Sequence, residues 1–155
     1  MNGEVELLVG KLIGEPCTQK EVGRFKSLSL GFGADSEDHR PHVRRTYKAW
    51  ELGTYNCEWR FIRNSVVLCG SRDSSDLTEL NAAIDDIQLG RLISLRQLTE
   101  FDIRLEFANG IMVDFLAATS VEDESFHVFC PGSLSIVFSA RDGWRTGPSN
   151  EPWPA

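Results

Sequence analysis

Short runs in which apolar and polar residues alternate recur along this chain and predict a mostly β protein. Residues 25–32 alternate, with Leu28, Leu30 and Phe32 on one face, and residues 101–107 likewise place their apolar side chains on one face, as half-buried strands do. Residues 66–69 and 91–98 have the β-branched and apolar composition of further strands. Asn109-Gly110 separates two alternating runs, and both residues tolerate positive φ. This dipeptide therefore predicts a tight hairpin.

Helical spacing is clear in only one place. Leu77, Leu80 and Ile84 recur at three- and four-residue steps behind Ser74 and Ser75, which can serve as caps, so one amphipathic helix is predicted near residues 76–87. The other segments without alternation receive different assignments. Residues 4–13 favour a strand, residues 33–42 a long polar loop, and residues 143–155, with three prolines, an irregular tail.

Three segments of the first half return in the same order in the second half. These are residues 9–13 with 89–93, residues 28–32 with 103–107, and residues 70–73 with 139–142. A period this long indicates a duplicated β-rich unit and not a solenoid. We therefore expect an α+β, mostly β fold: an internally duplicated antiparallel unit, with pseudo-repeats at about 5–75 and 88–145 and a connecting helix. Residues 1–155 would form a single domain around one core.

Composition places the chain among ordinary globular proteins, with 41% hydrophobic and 25% charged residues. We find no basic region followed by an apolar run, as a secretory signal requires, and no apolar run long enough to span a bilayer, so a cytoplasmic protein is expected. The cysteines lack CxxC spacing and are expected to be buried free thiols. They are Cys17, Cys57, Cys69 and Cys130.

Charge is unevenly distributed along the chain, whose net charge is −7. Residues 1–75 carry 11 basic and 10 acidic side chains, whereas residues 76–155 carry 5 and 13, so the two parts contribute +1 and −8. No cation occurs between Arg72 and Arg91, and a second acidic run follows at residues 122–124. Such a surface repels nucleic-acid phosphates and attracts basic proteins.

No pattern of catalytic or metal-ligating residues is convincing. His39 and His42 have H-x-x-H spacing without a second pair, and His127 lies in a strand-like run, so no metal site is predicted and structural or exposed histidines are expected. Hydrolase motifs and a phosphate-binding loop are absent from the sequence. The pairs Arg72-Asp73 and Arg141-Asp142 are expected to order turns by local pairing. The protein is thus expected not to be an enzyme and to use no cofactor.

Several short motifs resemble those of small bacterial immunity proteins from polymorphic toxin and contact-dependent growth inhibition systems. The motifs are Trp59-Arg60-Phe61, Arg72-Asp73, Leu89-Gly90-Arg91-Leu92-Ile93, Phe107-Ala108-Asn109-Gly110 and Pro131-Gly132. The resemblance covers roughly residues 5–145 and implies a protein that blocks a cognate toxin domain, often a basic nuclease, without binding nucleic acid or membrane.

The first hypothesis is therefore a toxin inhibitor that binds its partner through an acidic surface. The carboxylates expected in this surface are Asp73, Asp76, Glu79, Asp85, Asp86, Glu122, Asp123 and Glu124. The alternative is a ligand-binding or enzymatic β-rich domain whose cleft lies between the repeats, lined by Trp50, His127 and the two Arg-Asp pairs. A third possibility, a subunit of a larger assembly, would require an exposed apolar patch.

Overall fold

The protein has an α+β, mostly β fold, and its described residues form two α-helices and eleven strands. The structure, a computed structural model, describes residues 1–36, 47–54, 57–120, 125–150 and 153. Its elements are α1 (Gly3–Leu12), β1 (Cys17–Val22), a tight turn (Arg24–Lys26), β2 (Leu28–Asp35), β3 (Lys48–Thr54), β4 (Cys57–Arg63), β5 (Val66–Gly70), α2 (Leu77–Asp85), β6 (Leu92–Gln97), β7 (Ile103–Phe107), β8 (Ile111–Ala117), β9 (Phe126–Cys130), β10 (Leu134–Ser139) and β11 (Gly143–Pro148).

The strands form two antiparallel sheets, and each half of the chain contributes to both. One sheet has the order β1-β2-β3-β9-β10-β11 and the other the order β5-β4-β8-β7-β6. In each half, a helix precedes a three-stranded meander in one sheet, and a hairpin in the other sheet follows, which is β4–β5 in the first half and β9–β10, extended by β11, in the second. Each meander pairs with the hairpin of the other half, through β3 with β9 and β8 with β4. The two halves are thus intertwined and share one core.

Alternation of side chains explains why the sheets pack face to face. Strand β7 buries every second residue, and aromatic rings from the two sheets meet in the core. Phe32 stacks on Phe107 with ring centroids 6.2 Å apart, and Phe115 lies 5.3 Å from Phe126. Trp59 is fully buried as well, at 1% exposure. Trp50 belongs to the same core.

The helices cover the open sides of this sandwich. Asn81 of α2 accepts a hydrogen bond from Val22 N (2.8 Å) and donates one to Val22 O (2.9 Å), so its amide replaces a missing strand at the edge of β1. On the opposite side, α1 lies against β11, and Trp144 Nε1 donates to Gln97 Oε1 of β6 at 3.0 Å. Both sides of the core are thereby closed.

The strand predicted at residues 4–13 is wrong, because this segment forms α1. Asn2 caps the helix by accepting from Val5 N, and Val5, Val9 and Leu12 form its buried stripe. The described part of the chain therefore has two α-helices where one was expected, and α2 begins the second half in the way that α1 begins the first. It follows that matching residues 9–13 to 89–93 was also wrong, since it aligned a helix with the approach to a strand.

The irregular tail expected at residues 143–155 is wrong in its first part, since Gly143–Pro148 forms the edge strand β11. Trp144 on this strand packs partly buried against the core. The other local predictions fare better. The Asn109-Gly110 hairpin and the strand at 91–98 are confirmed. Most of the predicted loop at 33–42 lies outside the described residues, whereas Asp35 still belongs to β2.

Candidate interaction surface

The predicted acidic surface is centred on α2, and its five described carboxylates are all exposed. They are Asp73, Asp76, Glu79, Asp85 and Asp86. Helix α2 covers the β1 edge with the face that carries the buried Leu80 and Ile84, which leaves the opposite face to solvent. Glu122, Asp123 and Glu124 lie outside the described residues. Only the α2 part of the predicted surface is therefore placed by the structure.

Three of these carboxylates have a local structural role. Asp76, and not Ser74 or Ser75, is the N-cap of α2, since its side chain accepts from Thr78 N at 2.8 Å. Glu79 accepts from Ser74 Oγ, and Asp73 accepts from Gly70 N at 2.9 Å in the turn before the helix. Capping and turn formation explain why these residues are acidic at the N-terminal end of α2.

Asp85 and Asp86 have no such explanation. They end α2, whose last turn has no basic residue, and a carboxylate at this end opposes the helix dipole. Neither one forms an ion pair with any residue that the structure describes. Lys20 is nearby, but its ammonium group donates to the carbonyl of Ile87. The two carboxylates thus carry exposed charge that the fold does not need.

The first of the two Arg-Asp pairs does not pair locally as expected. In the first pair, Arg72 Nη1 lies 3.4 Å from Glu58 Oε1 on β4, while Asp73 bonds the backbone of Gly70. In the second pair, the backbone of Asp142 donates to Ser139 Oγ at 3.0 Å. Asp73 orders its turn through its side-chain carboxylate and Asp142 through its backbone N–H, and the predicted pairing of Arg72 with Asp73 is wrong.

The expected cleft lined by both Trp50 and His127 is also wrong. Trp50 packs in the core, whereas His127 pairs with Gly53 and faces the outer side of the six-stranded sheet. A Cβ atom on Gly53 would lie 2.8 Å from His127 Nε2, so only glycine leaves room for this imidazole. His127 instead lines an outer cavity of about 260 Å³ together with Phe129, Ser135, Val137, Arg145, Pro148, Ser149 and Trp153.

An ion cluster on the outer face of the five-stranded sheet was not predicted. Asp114, with no exposed surface, accepts from Arg60 Nε at 2.8 Å and from Arg104 Nε and Nη2 at 2.6 and 2.9 Å. Burial by itself raises the pKa of Asp114, but the hydrogen bonds from Arg104 and Arg60 outweigh it and hold the pKa below its usual value. The same bonds raise the pKa of Arg104. This cluster is a structural support of the sheet.

The cysteine thiols are unsuited to nucleophilic chemistry at neutral pH. All four are free, and burial raises the pKa of Cys17 and Cys69 to about 11 and that of Cys57 and Cys130 to about 12. Within the described residues, no group of three or more His, Cys, Asp or Glu side chains could hold a metal ion. His39 and His42 lie outside that part of the chain.

Comparison of this chain with protein-family models, with curated proteins and with solved structures found no match. None of the helices described is long and apolar enough to cross a membrane. Function must therefore be inferred from the surfaces of the chain itself.

Proposed function

We propose that this chain is an inhibitor of the immunity-protein kind, acting in the cytoplasm, which binds a basic toxin domain through the exposed face of α2. The observation that carries the proposal is the pair Asp85 and Asp86. Both are exposed, both oppose the helix dipole, and neither forms an ion pair with a described residue. Charges that reduce the stability of a fold are kept when a partner uses them.

The geometry of α2 suits a partner with a wide basic surface. The helix is held rigidly on the sheet edge by the two hydrogen bonds of Asn81, so its carboxylates are presented without ordering a loop. Asp73, Asp76 and Glu79 extend the acidic surface toward the other end of α2. A basic nuclease, whose active site attracts phosphate, would be steered toward this surface.

The test is the rate of association with the native partner, identified by co-purification, at low and high ionic strength. We expect Asp85→Lys/Asp86→Lys to slow association at least tenfold at low salt, with little difference left at high salt. Glu6→Lys/Glu100→Lys is the matched control, because it makes the same change in net charge at two exposed sites away from α2. Equal rates for both double variants would remove α2 from the binding surface.

A second candidate function is binding of a small ligand in the outer cavity of about 260 Å³. It is favoured by the convergence of His127 and Arg145 in that cavity, with the Arg145 guanidinium 5.3 Å from the Trp153 ring. A titration with small aromatic carboxylates, followed by tryptophan fluorescence in the wild type and in Arg145→Ala, tests it. No saturable change in the wild type would exclude such ligands.

A further inference from the structure

The turn between β1 and β2 holds a large aromatic side chain in solvent. Phe25 is 95% exposed. Phe25 and Lys26 have φ of 58° and 59°, in the left-handed region that bulky residues rarely adopt. The β4–β5 hairpin has the same two positive φ values at Asn64 and Ser65, where asparagine is well tolerated. At the β1–β2 turn, neither residue is of the favoured type.

The core fixes this unfavourable conformation. Gly23 N donates to Ser27 O at 2.8 Å, and Ser27 N donates to Arg24 O at 3.2 Å, which closes the turn. The buried indole of Trp59 then donates to the carbonyl of Lys26 at 2.8 Å. A strained backbone that the surrounding structure holds in place is typical of sites with a function beyond folding.

A polar cavity of about 410 Å³ lies beside the exposed ring, lined by Phe25, Lys26, Cys57, Glu58, Ser71 and Arg72. Its described lining residues include two cations and one carboxylate. Lys26 and Arg72 line the cavity, and the Arg24 guanidinium lies 5.7 Å from the Phe25 ring centroid. Among the lining residues that the structure describes, Glu58 is the one carboxylate, and it is paired with Arg72.

We propose that this turn is a docking site for an acidic segment of a partner protein. An apolar side chain of the segment packs on Phe25, and its carboxylates meet Lys26 and Arg72. An exposed aromatic ring among guanidinium groups is the composition of interface hot spots. The charge of the site is opposite to that of α2, so the docking site does not depend on the function proposed for the acidic surface.

The probes are three synthetic peptides of equal length, each with a central leucine flanked by glutamates, glutamines or lysines. Binding to the ¹⁵N-labelled protein is followed by NMR. We expect only the glutamate peptide to bind, with shifts confined to residues 23–27, 57–58 and 71–72. Equal binding of the glutamine peptide, or shifts located elsewhere, would overturn the proposal.

Two variants separate binding from folding. Phe25→Asn/Lys26→Gly introduces the residues that the turn favours, so we expect a higher Tm together with an at least tenfold loss of peptide affinity. A lower Tm would show that Phe25 serves the fold instead. The control Phe101→Asn removes another exposed ring, at 51% exposure, and should leave peptide binding unchanged.

Arg72→Glu tests binding without disturbing the fold, because the Arg72 side chain is 82% exposed. It should lower the affinity for the glutamate peptide at least tenfold and allow the lysine peptide to bind. A variant that still prefers the glutamate peptide would contradict the proposal. Sedimentation of the free protein tests whether a second copy of the chain occupies the site. Self-association that Phe25→Asn/Lys26→Gly abolishes would mean that a second copy, and not an acidic partner segment, covers the site.

Discussion

The outer face of the five-stranded sheet and the end of the molecule around α2 use charge in opposite ways. On the sheet, Asp114 is enclosed by two guanidinium groups, and Arg96 Nη2 lies 3.3 Å from Glu106 Oε1. At α2, Asp85 and Asp86 are exposed, face the wrong pole of the helix and pair with no described cation. Stability explains the first arrangement and not the second.

The backbone next to α2 also contains a feature that opposes stability. Asn81 joins the helix to the end of β1, and the chain continues directly from Val22 into the turn that exposes Phe25. Two features that oppose stability, carboxylates at a helix C-terminus and bulky residues at positive φ, therefore occur in neighbouring parts of the molecule. Their proximity is why both proposals concern this end.

The largest loss of stability is expected at the Asp114 cluster on the five-stranded sheet. Asp114→Asn removes the charge that neutralises Arg60 and Arg104, and breaking a buried ion pair in this way costs about 3 to 5 kcal/mol in the free energy of unfolding. Urea denaturation at neutral pH measures it. Glu106→Gln, at an exposed pair with Arg96, should cost less than about 0.5 kcal/mol. Similar losses for both variants would remove the distinction between the buried and exposed pairs.

Asp114 also gives the fold a pH dependence whose sign can be stated. Its pKa is lowered in the folded state, so its stabilisation is complete above the unfolded value of about 3.9 and is lost as the pH falls below that value through the folded pKa. Acid should therefore reduce the stability of the wild type more than that of Asp114→Asn. Parallel curves for the two proteins, measured by urea denaturation between neutral and acid pH, would contradict this.

How much could be predicted from the sequence depends on how local each signal is. The hairpin at Asn109-Gly110 combines alternation with turn residues, so the sequence predicts it correctly. Helix α1 was missed because Leu7, 72% exposed, adds an apolar residue to the side opposite Val5 and Val9 and obscures the helical stripe. Strand β11 was missed because an edge strand with glycine and proline shows no alternation.

The candidate site was predictable only in part, for a related reason. The acidic run of α2 is continuous in sequence, so its exposure could be expected. In contrast, Arg60 and Asp114 are 54 residues apart and meet only through the pairing of β4 with β8. The Phe25 turn lacks the glycine or asparagine that marks positive φ, so no sequence signal indicated it.

A smaller loss is expected from separating α2 from the sheet edge. Asn81→Ala removes the donor and the acceptor that satisfy Val22 N and O, and two such hydrogen bonds contribute about 2 kcal/mol to the free energy of unfolding. Slower hydrogen exchange at Val22 in the wild type than in the variant would locate the effect. Gln88→Ala, at an exposed position just beyond α2, is the control and should leave both measurements unchanged.

The smallest change in stability is expected at Asp85 and Asp86, and its sign tests the contrast with the Asp114 cluster. Asp85→Asn and Asp86→Asn each remove a carboxylate from the C-terminal end of α2, so each should stabilise the fold by about 0.3 to 1 kcal/mol at low ionic strength, and by less at high salt. Urea denaturation at two salt concentrations detects this if the m-value is unchanged. Glu100→Asn, exposed and outside any helix, controls for the general reduction in negative charge. Destabilisation by either α2 variant would mean that its carboxylate stabilises the fold, and the argument that Asp85 and Asp86 are kept for a partner would lose its basis.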